Sequence, residues 1–462
     1  MKYDPENPQA QAWYGWSRLR PWPKYNFKKL NRAKGPAWAV YGREAIRSAQ
    51  QVIHWWFDHR AHENGYLVGG GNQWNDITKL YNKYLFLCGV TNNQRLLDTV
   101  ERYLDAHWNT GRMVNGAIYY LTDITHSVEE ATFIQPALQV LRPGLPRHFY
   151  RDLLISSNLK KWLGRTNDGH LHFRSNFFNA GKIVPDGAKG RDIPGCEPAL
   201  VPARFLSWYS GHPEARKMVN AWSRSWLEDT LKEQGEKPAG ALPRWIRFKT
   251  HELGTKVYAP TNLVYEQFLA SYQDTGDLKF LEPFVALLER GDTFSDLKWH
   301  IRNAQNLISW RILSGDDRSD NQLRELSQAH IERYKQDMFF QRGIEHDEGK
   351  SMLKWVIDKD EQDLLECLNF VIRNNDRSLP VYGPSDPPTD RVYPWGRVTL
   401  PVMMLGGRLF DERASDPVPT AAFIWDTIDP DLVSMVFDYQ PDRVRSSYTI
   451  SKRQPKLPPC AS

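Results

Sequence analysis

Cysteine is scarce in this chain: four residues in 462, at Cys88, Cys196, Cys367 and Cys460. No two of them stand at zinc-ligand or redox spacing, which argues against a zinc ribbon, a thioredoxin-type motif or a disulfide framework. Cys88 and Cys367 lie in apolar helical runs and read as small hydrophobes. Long apolar runs are also lacking. No window reaches the roughly 18 uncharged apolar residues of a transmembrane helix, so no membrane partner is expected. Met1 to Pro23 is polar and aromatic, without the apolar core or small-residue cleavage pattern of a secretory leader. The compartment stays open: secreted or periplasmic where a leader has been removed, cytoplasmic otherwise. Charge of one sign is not dominant, with 60 basic and 55 acidic residues and a net charge of +5. The basic residues are spread out rather than striped, so no nucleic-acid partner is expected, while the mild excess is compatible with an anionic substrate.

What the chain does have is bulk and tryptophan. Hydrophobic residues make up 41% and charged residues 25%, enough to bury a large core and unlike a disordered or fibrous chain. There are 18 Trp. Most are expected to wedge helices together, and the remainder to line a cleft where flat apolar faces meet sugar rings.

A repeat organises the chain. Long amphipathic runs are broken at Gly89, Gly144, Gly211 and Gly276, and each break is followed by another amphipathic run. A glycine there suits the left-handed position that ends a helix, and Asn92, Pro213 or Asp277 suits the start of the next. The breaks are about 55 to 67 residues apart, room for two helices and a long connection. Helical periodicity is plain in Trp74 to Leu87, in Leu96 to Trp108, in Leu200 to Ser207 and in Leu263 to Leu269. Weaker hairpins follow near Ile312 to Tyr334 and Val356 to Ile372, and an opening helix is expected at Gly42 to His59. The expectation is a mainly α fold, an (α/α) toroid of six or seven antiparallel helix hairpins, with the long loops gathered at one end as a cleft. Residues 1–34 read as an extension, 35–415 as the toroid, 416–453 as a short β-rich segment and 454–462 as a tail. The β segment rests on Ala421 to Trp425, Leu432 to Tyr439 and Val444 to Ser451, three turn-bounded runs of strand formers.

Three polar clusters fall on the long connections. The first, Gly69 to Asp76, carries Asn72, Trp74, Asn75 and Asp76 behind three glycines that permit close backbone approach to a ligand. It lacks the Gly-Lys-Ser/Thr ending of a phosphate loop, and Asn72 or Asn75 is equally suited to cap a helix. The second places Asp123, His126 and Glu130 on one helical face, with Tyr119 and Tyr120 just before them. A carboxylate beside His126 can fix its tautomer; the plainer alternative is a helix cap with an acidic first turn. The third, Asn167 to Asn176, holds Asp168, His170, His172, Arg174 and Asn176. If extended, it puts His170, His172 and Arg174 on one side: an acid, a base and an anion clamp in one short segment. The alternative is an Asn-Asp-Gly turn followed by a polar surface strand. Further on, Glu197 opens a helix, and Arg244 with Trp245 suggests a clamp beside a platform. His170 and His172 have no carboxylate at helical spacing to complete a ligand set, so neither a metal nor a cofactor is expected.

With these segments and the hairpin turn Thr275-Gly276-Asp277, the chain resembles the six-hairpin, or (α/α) toroid, superfamily of carbohydrate-active enzymes over about residues 35 to 410. The resemblance implies sugar chemistry without choosing the reaction, since the superfamily includes polysaccharide lyases, unsaturated-glucuronyl hydrolases, other hydrolases and epimerases. Its heparinase-like and chondroitin AC-like lyases use an Asn or Arg at the uronate carboxylate, with His and Tyr for proton transfer. The first reading is accordingly β-elimination on a uronic-acid glycan, an anionic oligo- or polysaccharide. Arg174 or Asn75 would neutralise the carboxylate, His126, His170 or His172 would take the proton, and Tyr119 or Tyr120 would give one back. The alternatives are glycoside hydrolysis by a carboxylate pair drawn from Asp76, Asp123, Asp168 and Glu197, and a glycan-binding module without catalysis.

Overall fold

The computed structural model of the chain describes residues 35–60, 93–132, 134–142, 144–255, 263–289, 304–325 and 354–378, with a few isolated positions besides. The described parts are mainly helical, as expected. The chain falls into two compact units, residues 1–103 with 323–452 and residues 104–322 with 453–462.

In the first unit, α1 (Ala37–Arg60) packs along a C-terminal helix, Glu361–Ser378. Leu364, Leu368 and Ile372 recur at helical spacing on the latter and are buried, as are Trp38, Ala45 and Ile46 of α1. Asn93 Nδ2 meets His54 Nε2 at 2.8 Å, and Arg95 pairs with Asp58, so α1 is held to the start of the next helix. That helix, α2 (Gln94–Asn109), carries the chain into the second unit.

The second unit is a series of helix hairpins. Helices α3 (Ile124–Thr132) and α4 (Gln135–Leu141) precede α5 (Pro146–Trp162), and α6 (Val201–Ser210) precedes α7 (Pro213–Leu231). Then come α8 (Leu263–Thr275), α9 (Glu282–Glu289) and α10 (Ala304–Ser314). The expected glycine breaks sit between helices: Gly144 at φ 88°, Gly211 at φ 65° and Gly276 at φ 71°. Only a residue without a Cβ takes that left-handed turn at little cost. After Gly211 the His212 ring accepts from Ala215 N at 3.3 Å, and after Gly276 the Asp277 carboxylate accepts from Lys279 N at 3.1 Å, so each next helix starts capped. The Glu361–Ser378 helix, α11 in chain order, follows a left-handed Lys359, with Asp360 accepting from Gln362 N at 2.9 Å.

The expected helices at Leu96 to Trp108, Leu200 to Ser207, Leu263 to Leu269 and Gly42 to His59 correspond to α2, α6, α8 and α1. Of the two weaker hairpins, the first, Ile312 to Tyr334, is described only as far as residue 325, with the end of α10 and a helical turn over 320–325, and the second corresponds to α11 and the helical turn before it. The helix expected at Trp74 to Leu87 (Leu85 apart), the turn expected at Gly89, the segment Gly69 to Asp76 and the strands expected near the C-terminus lie outside the described residues.

Short ladders fill the connection between α2 and α6. β1 (Met113–Val114) pairs with β2 (Ala117–Ile118), β3 (Thr122–Asp123) with β6 (Phe177–Phe178), and β4 (Leu163–Arg165) with β5 (Leu171–Phe173). β7 (Arg191–Asp192) pairs with β8 (Ile246–Arg247), which comes after α7. All are antiparallel, and all lie over a core that includes Ile155, Leu159, Trp162, Phe173, Phe178, Trp222 and Trp226, each at most 1% exposed.

One core group works against the fold. Asp152 of α5 is fully buried, and neither carboxylate oxygen has a hydrogen-bond partner. Burial holds its carboxyl well above the usual carboxylate range. An acid raised in the folded state costs nothing below its ordinary value of 3.8, and costs increasingly more as the pH climbs from there to the folded pKa. Asp152→Asn removes that titration. Its unfolding free energy relative to the parent should rise with pH across this window, by up to about 1.4 kcal/mol per pH unit, in urea melts run from acid to neutral pH. A pH-independent difference would show that Asp152 is solvated.

Candidate functional site

The Asn-Asp-Gly segment makes the turn of the β4–β5 hairpin. Gly169 at φ 87° donates its N–H to Thr166 O at 2.9 Å, and Thr166 N donates to His170 O at 2.8 Å. Alternation along the strand then puts His170 and His172 on one side. The strand is not a polar surface strand. His172 is fully buried, opposite Gly164 in the ladder, and Leu171 N is tied to Ser225 Oγ of α7 at 2.8 Å.

Beneath His172 lies Asp192 of β7, also fully buried. Its Oδ2 accepts from Trp222 Nε1 at 2.8 Å, Trp226 Nε1 at 2.9 Å and Phe173 N at 3.1 Å, and lies 3.0 Å from His172 Nδ1. Indole N–H groups need partners when buried, and here one carboxylate oxygen serves two of them. Trp222, Trp226 and Asp229 follow at i, i+4 and i+7 on α7, so the same helical face carries a second carboxylate into the site.

Asp229, 1% exposed, is the centre of the arrangement. Its Oδ2 lies 3.0 Å from His251 Nε2, 3.1 Å from His172 Nε2 and 3.5 Å from His170 Nδ1. The His251 contact is a hydrogen bond. The other two are out of line for one, and both nitrogens are buried without a hydrogen-bond partner. Each imidazole turns its remaining nitrogen to a different carboxylate: His172 to Asp192, His251 to Asp168 at 2.8 Å and His170 to Glu228 at 3.1 Å. His251 reaches the cluster from the turn after β8 in a left-handed backbone, φ 53°, that non-glycine residues seldom adopt. The turn is held by His251 N donating to Arg247 O at 2.8 Å.

Electrostatics follows from this wiring. Burial alone would lower the His172 imidazole, but the carboxylates of Asp192 and Asp229 outweigh it and push it up to about 9. Burial would raise Asp229, but the three histidines hold it far below the usual carboxylate range. The Asp229 hydrogen bond raises His251. Asp168, on the solvent side, is held low by its hydrogen bond to His251, with His170 and Lys232 adding to it. Asp168 and Glu228 are the rim of the cluster, their side chains 63% and 56% exposed.

Other candidates sit elsewhere. Asp123 caps α3: its carboxylate accepts from His126 N at 3.3 Å and meets His126 Nδ1 at 2.6 Å, which outweighs partial burial and holds Asp123 below its ordinary value. This is the capping alternative, with His126 folded into it. Arg174 points its Nη1 at Lys161 O, 3.5 Å away, and lays its stem against Gly164. Asn176 works through its backbone, joining Ile124 N and Lys189 O at 2.9 Å each. Tyr119 is exposed and edge-on to Tyr120, ring centroids 5.2 Å apart. Glu197 is buried in a pair with Arg204 at 2.7 Å, out of a substrate's reach. Trp245 is covered by Arg191 at 4.2 Å and Arg247 at 5.2 Å, so its ring is stacked on guanidinium groups, and Arg244 is exposed beside it. Asn72, Trp74, Asn75 and Asp76 lie outside the described residues. Sequence reasoning missed Asp192, Glu228, Asp229 and His251. The tryptophan–tryptophan–aspartate stripe on α7 was the one legible signal among them.

The expectation of no metal ligand set came from local spacing. The fold supplies what that spacing lacked: ligating atoms of His170, His172, Asp229 and His251 all lie within 4.8 Å of one another. Among the described residues no helix is long and apolar enough to cross a membrane. Neither a family model nor a curated protein matches this chain. A solved structure, that of the GH76A alpha-1,6-mannanase from Salegentibacter sp. HEL1_6, overlaps 79% of this chain and 99% of that one, with a TM-score of 0.43 and 12% identity. The overlap is too loose to carry any residue of that enzyme onto this one.

Asp192→Ala strands two indoles, a backbone N–H and His172 in the core. It should lower the unfolding free energy by about 3–5 kcal/mol in denaturant melts. Asp168→Ala, at the exposed rim, should melt close to the parent. Similar melts for both would mean that Asp192 does not anchor the site.

Proposed function

We propose that this chain is a carbohydrate-active enzyme that hydrolyses a glycosidic bond at the rim of the histidine cluster. The sugar class rests on the resemblance of the sequence to the six-hairpin enzymes. The reaction type rests on one observation: two solvent-facing carboxylates, Asp168 and Glu228, each joined to its own member of the His170–His251 pair, whose ring centroids are 4.5 Å apart. Glycoside hydrolysis needs two carboxyl groups at the scissile bond, one ionised and one to deliver a proton. Asp168, held ionised by His251, suits the base or nucleophile. Glu228, on the His170 side, is assigned the acid.

Elimination fits less well. It needs a cation to neutralise the uronate next to the base, and Arg174 is turned to a backbone carbonyl instead. Around the imidazoles the facing groups are carboxylates, which disfavour a uronate. The substrate proposed is therefore a neutral glycan, in place of the anionic one expected from composition.

The test is a panel of neutral and anionic polysaccharides, read for reducing ends and for the ultraviolet absorbance of an unsaturated uronate. Reducing ends from a neutral glycan are expected, with kcat falling about a hundredfold or more in Asp168→Asn and in Glu228→Gln, the scale of general acid–base groups. His126→Ala should retain activity. An unsaturated product, or full activity in both carboxylate variants, would overturn the assignment.

A further inference from the structure

We propose that His170, His172, His251 and Asp229 bind one divalent transition metal ion, with zinc as the reference case. The first argument is convergence. Three imidazole nitrogens lie 3.0, 3.1 and 3.5 Å from a single oxygen, Asp229 Oδ2. Metal bonds of 2.0–2.1 Å in a tetrahedron place neighbouring ligand atoms about 3.3 Å apart. The three separations from Asp229 Oδ2 bracket that edge, and all four candidate ligand atoms lie within 4.8 Å of one another.

The second argument is the orphaned atoms. His170 Nδ1 and His172 Nε2 are buried, close to Asp229 Oδ2, and out of line for a hydrogen bond to it. A buried polar atom left unpaired is costly, and His172 is fully buried. A cation among the four groups, displacing any proton held there, would coordinate both nitrogens at once and remove the penalty.

The third argument is the outer layer. Metal-binding histidines characteristically give their other ring nitrogen to a carboxylate or carbonyl, which fixes the tautomer and orients the ring. Two do so here by hydrogen bonds, His172 to Asp192 and His251 to Asp168, and His170 turns its other nitrogen toward Glu228 at 3.1 Å. The outer atom is Nδ1 in His172 and His251 and Nε2 in His170, so the facing nitrogen changes with each ring to suit its position. This is the outer layer that orients imidazoles around an ion. Donor chemistry sets the class: three imidazoles and one carboxylate suit zinc or a neighbouring first-row ion, and suit calcium or magnesium poorly.

The ligands come from β5, from the last turn of α7 and from the loop after β8. An ion there ties three elements far apart in sequence, and holds His251 in its left-handed turn. Four protein ligands make the closed kind of site, whose binding free energy adds to folding. The proposal does not depend on the hydrolase reading, and its test involves no glycan.

The full chain is stripped with a chelator, dialysed and titrated with Zn2+, followed by calorimetry, elemental analysis of the dialysed complex and thermal melts. One zinc per chain and a melting temperature raised by several degrees are expected. Co2+ should give the visible bands of a tetrahedral nitrogen–oxygen field. His251→Ala and His170→Ala, at partly exposed ligands, should fold by circular dichroism yet lose affinity by more than the 10- to 100-fold that follows loss of an outer partner, roughly. His126→Ala should bind like the parent. Absence of stoichiometric zinc in the parent overturns the proposal, as does equal binding by the parent and the two histidine variants. If a ligand variant fails to fold, the parent's stoichiometry and Co2+ spectrum still decide.

Discussion

A carboxylate buried among tryptophans is an expensive thing to build, and the Asp192 side chain is what the rest of this site depends on. Its desolvation is offset only if the surrounding donors are aimed at it before it arrives. Here two indoles from one face of α7, a backbone N–H from β5 and the His172 ring do so. These are ladders of two or three residues, too short to be stable alone. Their positions are set by what they deliver to Asp192 and by the aromatic floor of Phe173, Phe178 and Trp162. Through His172 the same carboxylate fixes where the second imidazole nitrogen points, and therefore where Asp229 and the remaining histidines meet.

From that anchor outward the site is graded in exposure. Asp192 and His172 are sealed, Asp229 and the His251 ring almost so, His170 partly open, and Asp168 and Glu228 face water. A charge interaction is strongest where water is excluded and weakest at the rim. The deep pairs therefore hold geometry, while the rim groups remain free to exchange partners with a ligand. The rim is also where sign matters. Carboxylates facing outward make the entrance unfavourable to an anionic sugar, whatever the chain's net positive charge. A net charge of +5 spread over 462 residues does not report the sign of one rim.

Much of the helical framework was legible because it is local. Gly144, Gly211 and Gly276 mark left-handed turns that neighbouring residues alone specify, and the runs around Leu96, Leu206 and Phe268 bury one face at helical spacing. The site was legible only in part. His170 and His172 were visible as a pair, since alternation on a strand after an Asn-Asp-Gly turn is again local. Asp192, Asp229 and His251 were not, because their meaning arises when β5, β7, α7 and the loop after β8 come together. Arg174 shows the converse failure. Alternation would put it on the side of the histidines, but its stem lies against Gly164 and its guanidinium points at a backbone carbonyl. Asp123 and His126 show that a pairing suggestive of catalysis is also the chemistry of a helix start.

The two proposals constrain each other through the rim. A carboxylate that accepts an imidazole N–H is stabilised in its ionised form, more so when the opposite ring nitrogen holds a cation. This suits Asp168 to the role of base or nucleophile, since its hydrogen bond to His251 holds it below the usual carboxylate range. Glu228, assigned the acid, is placed to swing away from its 3.1 Å contact with His170: it is over half exposed, on the last turn of α7, with one more methylene than an aspartate. His170 is also the most exposed of the three rings and the farthest from Asp229 Oδ2. The weakest link of the inner set and the swinging member of the outer pair are thus the same contact. A sugar that draws Glu228 toward its leaving oxygen would loosen His170, leaving His172, His251 and Asp229 as the firm part of the site.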